Sequence, residues 1–264
     1  MVRKNQPRPP LTAKQFKRRL DQLQEVIMSG LSFYVVWNKL RLHDESEVSW
    51  SLERQDQLLG RWRGFFTPAG IGLQRMAMIE LAKVFDTDPR TASLTVLLKA
   101  AEQDNSLVPH AQPNDLTDIR AKLRLAETTL KTVTKLRNQR LAHADATPDP
   151  LPPLMSQKVD SLIDDIKFAF NGLSAAHDRS VWAWDFALRT SERDTSEVLG
   201  VLLKEMARKE IEYHDKMVEI AMGHIHGAET TLGRFLDDDE MRSVARQFAL
   251  TPEQEQRVQQ ARGT

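Results

Sequence analysis

Residues 137–143 are Arg-Asn-Gln-Arg-Leu-Ala-His, and this stretch closes the longest amphipathic pattern of the 264-residue chain. Apolar residues precede it at spacings of three and four: Leu116, Ile119, Leu123, Ala126, Leu130 and Val133. This spacing predicts one long helix, from about Asp115 to the motif, with one buried face. Arg137 takes the next position of that face, where a guanidinium is costly unless an anion or hydrogen-bond acceptors meet it. The following residues, ending at Pro148, break the helix.

The polar side chains of this motif have the chemistry needed to cleave RNA without a metal. Arg137 and His143 lie about 9 Å apart along a helix axis and about 120° apart around it, so they converge on one phosphodiester if they lean inward. Arginine would bind the phosphate, histidine would exchange a proton with the ribose hydroxyl or the leaving oxygen, and Asn138 would orient the imidazole. The alternative is structural: Arg137 reaches water along the apolar surface, and His143 only meets the last helix carbonyls.

The motif and the sequence before it resemble the HEPN superfamily. An arginine followed directly by asparagine, with a histidine closing the helix, is similar to the HEPN signature. The runs LRNQRLAHAD (136–145) and FFTPAGIGLQRMAMIELAKVFDTDPRTASLTVLL (65–98) resemble the AbiU-like branch of abortive-infection proteins. The resemblance covers about residues 11–179.

This resemblance implies an all-α, HEPN-like helical bundle, to which the remaining sequence adds a helical C-terminal extension. Many HEPN proteins are metal-independent endoribonucleases of toxin–antitoxin or abortive-infection systems, which implies Arg137, Asn138 and His143 as catalytic residues and no cofactor. An antitoxin or other regulatory partner is implied as well. Some HEPN proteins are only structural partners, so the alternative is a catalytically silent module that binds a partner protein or nucleotide.

The resemblance further implies a homodimer, because the motif helices of HEPN proteins commonly face each other across a two-fold axis. One motif supplies one imidazole, whereas cleavage benefits from both an acid and a base, which a symmetric pair would provide. The contrary hypothesis is that residues 180–264 fold over the motif and keep the chain monomeric.

Charge is balanced overall but uneven along the chain. The 37 basic and 37 acidic residues exclude a global positive field that would recruit nucleic acid. A local basic strip nevertheless precedes and enters the motif, opposed only by Glu127 after Ile119: Arg120, Lys122, Arg124, Lys131, Lys135, Arg137 and Arg140. We therefore expect Lys131, Lys135 and Arg140 to contact RNA.

Other classes of protein and site are disfavoured. The chain has no cysteine, which excludes disulfides and thiol catalysis and agrees with a reducing cytoplasm. No signal peptide or long apolar run is visible, so we expect a soluble, cytoplasmic protein without a membrane partner. Glu210 and His214 share a helix face, with His224 and His226 beyond them, and form the competing candidate, a zinc site. No fourth ligand has a suitable position, and we expect no metal.

The domain organisation follows from helix signals and proline punctuation. We predict a disordered lead over 1–10, the HEPN-like domain over 11–179, a linker over 180–190 and an accessory helical segment over 191–264. Thr12 and Gln15 form a predicted capping box, and Thr67 with Pro68 predicts a helix N-terminus. Apolar residues alternate after Ser180, as in a strand. Because no partner strand is evident, we expect an irregular segment there rather than a lone strand. The last long helix is predicted to start at 194 or 195.

Overall fold

The computed structural model describes residues 10–40, 52–136, 138, 156–232, 238–252, 254 and 256. These residues form helices and no strand, which confirms the all-α prediction. The helices are α1 (Ala13–Lys39), α2 (Leu52–Arg61), α3 (Arg63–Lys83), α4 (Leu94–Gln103), α5 (Asp115–Leu125), α6 (Glu127–Leu136), α7 (Ser156–Asp178), α8 (Trp184–Leu232) and α9 (Asp238–Ala249). A short 3₁₀ turn, Asn105–Leu107, follows α4.

The chain divides into two compact units. Unit 1 comprises Met1–Leu42 and Arg63–Thr195, and unit 2 comprises His43–Trp62 and Ser196–Thr264. The division into segments 1–10, 11–179, 180–190 and 191–264 stays a prediction.

The core of unit 1 begins with α1, whose buried face has the predicted helical spacing. Its fully or nearly buried side chains are Phe16, Leu20, Leu23, Ile27, Leu31 and Tyr34. The helix begins as expected: the Gln15 N–H donates to Thr12 Oγ1 at 3.3 Å, and the Thr12 N–H donates to Gln15 Oε1 at 2.9 Å. This capping box satisfies two backbone donors that the first turn leaves unpaired. Helix α1 packs against α3, α4 and α7.

The end of α7 is tied back to the first turns of α1. Lys17 Nζ lies 2.8 Å from Asp178 Oδ2, and the Ser180 hydroxyl and N–H both donate to Asp178 Oδ1. Burial raises the pKa of Asp178, but these hydrogen bonds outweigh it and lower the pKa to about 2. Arg179 then leaves the helix with a positive φ of 63°, a left-handed helix end.

The predicted helix start at Thr67 is wrong. Helix α3 begins at Arg63 and passes through Pro68 without ending. Proline lacks an N–H and crowds the carbonyl four residues earlier, here that of Gly64. Pro68 is the sixth residue of α3, so the helix lacks the hydrogen bond to Gly64 but continues to Lys83.

The helix before the motif is interrupted, which the apolar stripe did not predict. Ala126 separates α5 from α6, with φ −74° and ψ −9°, although its N–H still donates to the Lys122 carbonyl. The two halves pack on different neighbours: α5 lies on α4 and α7, and α6 lies on α3 and α7. A turn at the buried Ala126 lets each half keep its apolar side inward.

The expected irregular segment over 180–190 is also corrected. The backbone is irregular only up to residue 183, and α8 begins at Trp184 rather than at 194 or 195. Trp184 and Leu188 are buried, whereas Phe186 is 72 % exposed. The four-residue spacing of the two buried side chains is helical, so the alternation in the sequence did not indicate which residues pack.

Unit 2 is built from α2, most of α8, α9 and the turn after it. Its buried side chains include Leu58, Leu199, Met206, Ala245 and Leu250. Thr251 and Gln254 cap the start of the last described turn through paired backbone-to-side-chain hydrogen bonds.

Candidate nucleic-acid interface

Helix α6 has one buried side and one basic side. Val133 is fully buried, and Leu130 and Leu136 pack partly against the core. Lys131 and Lys135, two residues before and after Val133, are exposed. Steps of about 100° per residue place both lysines on the side opposite Val133. Burial of this one valine therefore fixes which way the cations face.

The two lysines differ in their ion pairing. Lys131 Nζ lies 2.7 Å from Glu127 Oε1, four residues earlier on the same helix. This contact, a hydrogen bond together with charge attraction, lowers the pKa of Glu127. Lys135 has no ion pair with any residue that the structure describes. Lys135 is thus the cation of α6 that is ready to meet a phosphate.

Asn138 is the one residue of the predicted catalytic set that the structure describes. It lies two residues after the end of α6, and its side chain is exposed. Arg137, Arg140 and His143 lie outside the described residues. The structure thus brings Lys131 and Lys135 to the exposed side of one helix, directly before the motif.

Part of the basic strip is already neutralised. Arg120 on α5 makes a two-pronged contact with Glu102 on α4, with its Nε 2.6 Å from Oε1. Lys122 Nζ lies 3.8 Å from Asp165 on α7. Burial raises the pKa of Asp165, and Lys122 opposes that rise. These two cations hold helices together, so the strip offers RNA less positive charge than its sequence indicated.

Helix α5, which leads into α6, is held against α7 by a close approach. A Cβ built on Gly172 of α7 would lie 2.8 Å from Ile119 Cδ1 and 3.1 Å from its Cγ1. Ile119 is buried, so its side chain occupies the space that glycine leaves. The absence of a side chain at Gly172 therefore sets how closely the two helices pack.

The family model HEPN_AbiU2, described as AbiU2, matches residues 13–198. The chain belongs to the AbiU2 family of HEPN proteins. It contains an abortive-infection-related HEPN module, as the motif and residues 65–98 indicated. Comparison with curated proteins and with solved structures gave no match. The family match ends at 198, so most of α8 and all of α9 lie beyond it.

The structure of this AbiU2-family chain describes only part of the competing histidine site. His214 Nε2 lies 3.9 Å from Glu210 Oε1, and the imidazole is buried. The side chains of His224 and His226 lie outside the described residues. Among the residues that are described, no three His, Cys, Asp or Glu side chains group as metal ligands. A pair alone does not make a structural zinc site, which takes four ligands.

Unit 2 also has a groove that the sequence did not single out. Its volume is about 840 Å³, and residues from α2, α8 and the turn at Gln254 line it. Gln57 and Arg61 share one face of α2 at a spacing of four. No motif marks these residues, because the groove arises only where separate helices meet.

None of the helices in the described part of the chain has the length and apolar character required to cross a membrane.

Proposed function

We propose that this AbiU2-family protein is a metal-independent endoribonuclease of the abortive-infection or toxin type. The proposed catalytic residues are Arg137, Asn138 and His143, and Lys131, Lys135 and Arg140 would bind the RNA backbone. The observation that carries the proposal is the burial of Val133, which turns Lys131 and Lys135 outward directly before the motif. Family membership supports the same assignment.

The proposed reaction uses only the kinds of group that the motif contains, with two imidazoles in different protonation states. The ribose 2′-oxygen attacks the adjacent phosphorus, and the bond from phosphorus to the 5′-oxygen breaks, leaving a 2′,3′-cyclic phosphate and a 5′-hydroxyl. An imidazole accepts the 2′-hydroxyl proton, and a protonated imidazole gives one to the departing 5′-oxygen. Arg137 stabilises the charge that develops on the phosphate oxygens.

Because one motif carries one imidazole, the proposal includes a homodimer in which two motifs share a cleft. One His143 would then act as base and the other as acid. Two facing Arg137 side chains repel each other, so phosphate or RNA should tighten the dimer.

The decisive experiment measures cleavage of a labelled RNA pool in EDTA by the wild type, Arg137→Ala and His143→Ala. Wild-type cleavage should survive the chelator, and each substitution should lower the rate by at least about a hundredfold. Lys99→Ala, an exposed lysine on α4, is the matched control and should cleave at the wild-type rate. Activity abolished by EDTA, restored by zinc and indifferent to His143→Ala would place the site at the histidines of α8 instead.

The dimer is tested separately by mixing Arg137→Ala chains with His143→Ala chains under conditions of subunit exchange. Partial recovery of cleavage in the mixed dimer supports a shared cleft. A monomer by light scattering, with full activity, refutes it. If the wild type cuts no RNA but forms a stable complex with a partner protein or nucleotide, the catalytically silent binding module is the correct function.

A further inference from the structure

The groove of unit 2 has the lining of a ligand site, independent of the motif. Its volume of about 840 Å³ lies in the range of small-molecule pockets, and it opens to solvent between α2, α8 and Gln254. Buried Met206 and His214 line it together with exposed polar side chains. The combination of buried apolar surface and a few polar groups is typical of small-molecule sites.

Two cations of this groove have no carboxylate partner in the described part of the chain. Lys209 lies 3.5 Å from Glu205, and Glu212 accepts a hydrogen bond from Arg208, so both are already paired. Arg61 and Lys216 make no ion pair with any residue within the described ranges. The guanidinium carbon of Arg61 lies 5.6 Å from the centroid of the Trp62 ring.

Two unpaired cations match a phosphate better than a carboxylate. A phosphate monoester carries a charge of about −1.5 to −2 at neutral pH, and arginine binds its oxygens in a two-pronged geometry. The same groove therefore favours a phosphorylated ligand.

The remaining lining favours a ligand with a planar ring that hydrogen-bonds at its edge. Tyr213 lines the groove and is 59 % exposed, so an aromatic ring is accessible there for stacking. The Gln254 amide nitrogen can donate hydrogen bonds, while its Oε1 already accepts the Thr251 N–H, and Glu210 can accept hydrogen bonds. His214 Nδ1 is buried without a partner among the described residues, a cost that a ligand or its bound water would reduce.

We propose that the groove of unit 2 binds a nucleoside monophosphate, with Arg61 and Lys216 on the phosphate and Tyr213 stacked on the base. The groove belongs to a different unit from Lys131, Lys135 and Asn138 and shares no residue with the proposed RNA cleavage site. The nucleotide site can therefore be tested independently of the ribonuclease activity.

The test is isothermal titration of the full chain with AMP, GMP, CMP and UMP, and with adenosine and inorganic phosphate. At least one nucleotide should bind more tightly than either adenosine or phosphate. Arg61→Ala and Lys216→Ala should each weaken that nucleotide by about tenfold or more, the loss expected for a charge-assisted hydrogen bond. Tyr213→Ala should weaken it by at least about fivefold through lost stacking, while Tyr213→Phe should not.

The matched controls are Lys204→Ala and Arg63→Ala. Lys204 is an exposed lysine on α8, Arg63 lies just after α2, and neither residue lines the groove. Both should bind the nucleotide like the wild type, and Arg61→Lys provides a folded variant that keeps the charge. The proposal is overturned if no nucleotide binds at millimolar concentration or if phosphate alone binds as tightly. Equal weakening by Lys204→Ala would also overturn it, because that result indicates non-specific attraction.

Discussion

The close approach of α5 to α7 predicts a specific coupling between Gly172 and Ile119. Gly172→Ala places a methyl group 2.8 Å from Ile119 Cδ1, closer than real Cβ contacts. Overpacking of this kind costs about 2 kcal/mol, whereas replacing a helical glycine by alanine gains about 1 kcal/mol. We therefore expect Gly172→Ala to lower the free energy of unfolding by about 1 kcal/mol.

Ile119→Val removes the clashing Cδ1 atom and nothing else. Alone, it should cost about 1 kcal/mol for the lost buried methylene. In the double variant the overlap with Cδ1 is gone, and the helix gain of alanine offsets the valine cost. The double variant should thus unfold with nearly the wild-type free energy, although the single losses sum to about 2 kcal/mol, a coupling of about 2 kcal/mol.

Urea denaturation followed by circular dichroism measures all four proteins of this cycle. Gly70→Ala on α3 is the matched control, because a Cβ there meets no atom within 4 Å and should stabilise by about 1 kcal/mol. Additive single effects, or a Gly172→Ala variant as stable as Gly70→Ala, would refute the reasoning that this glycine sets the spacing of α5 and α7.

Three further predictions concern the helix before the motif and the end of α7. Lys135→Ala should weaken RNA binding and reduce the slope of log K against log [salt] by about one. Replacement of Lys131, which is paired with Glu127, should have a smaller effect, and Lys99→Ala should have none. Fluorescence anisotropy at several salt concentrations measures all three. The pKa of Asp178 is lowered to about 2 in the folded protein, so the ionised carboxylate stabilises the fold fully above its unfolded pKa near 4. This stabilisation is lost as the pH falls from about 4 towards about 2. Asp178→Asn should therefore flatten the pH dependence of the free energy of unfolding in that window. Val133→Ala should lower the free energy of unfolding by about 2 kcal/mol and weaken RNA binding with it, because the same side chain that fills the core orients the lysines.

Helix periodicity predicted the parts of the fold in which one face meets one neighbour. The stripe from Phe16 to Tyr34 is buried along its length, and the Thr12 capping box forms as expected. Both signals are local, since spacing on a helix and hydrogen bonds within its first turn depend only on nearby residues.

Periodicity failed where packing between helices decided the outcome. Ala126 belongs to the apolar stripe, yet the helix is interrupted there: both halves pack on α7, but α5 also packs on α4 and α6 on α3. Trp184 and Leu188 are buried at the start of α8, while Phe186 between them is exposed. Pro68 is a common start signal, yet α3 begins five residues earlier at Arg63 and continues past the proline without its hydrogen bond to Gly64.

The same distinction applies to the candidate RNA-binding surface. The sequence shows which residues are cationic, and the pairing of Lys131 with Glu127 is visible from their spacing of four. The pairing of Arg120 with Glu102 and of Lys122 with Asp165 joins separate helices, so only the fold reveals it. The cations of α5 and α6 without such partners are Arg124 and Lys135, as far as the described residues extend. Because an unpaired surface cation can neutralise a phosphate without first breaking an ion pair, the proposed RNA contact would draw mainly on the ends of α5 and α6, where Arg124 and Lys135 lie.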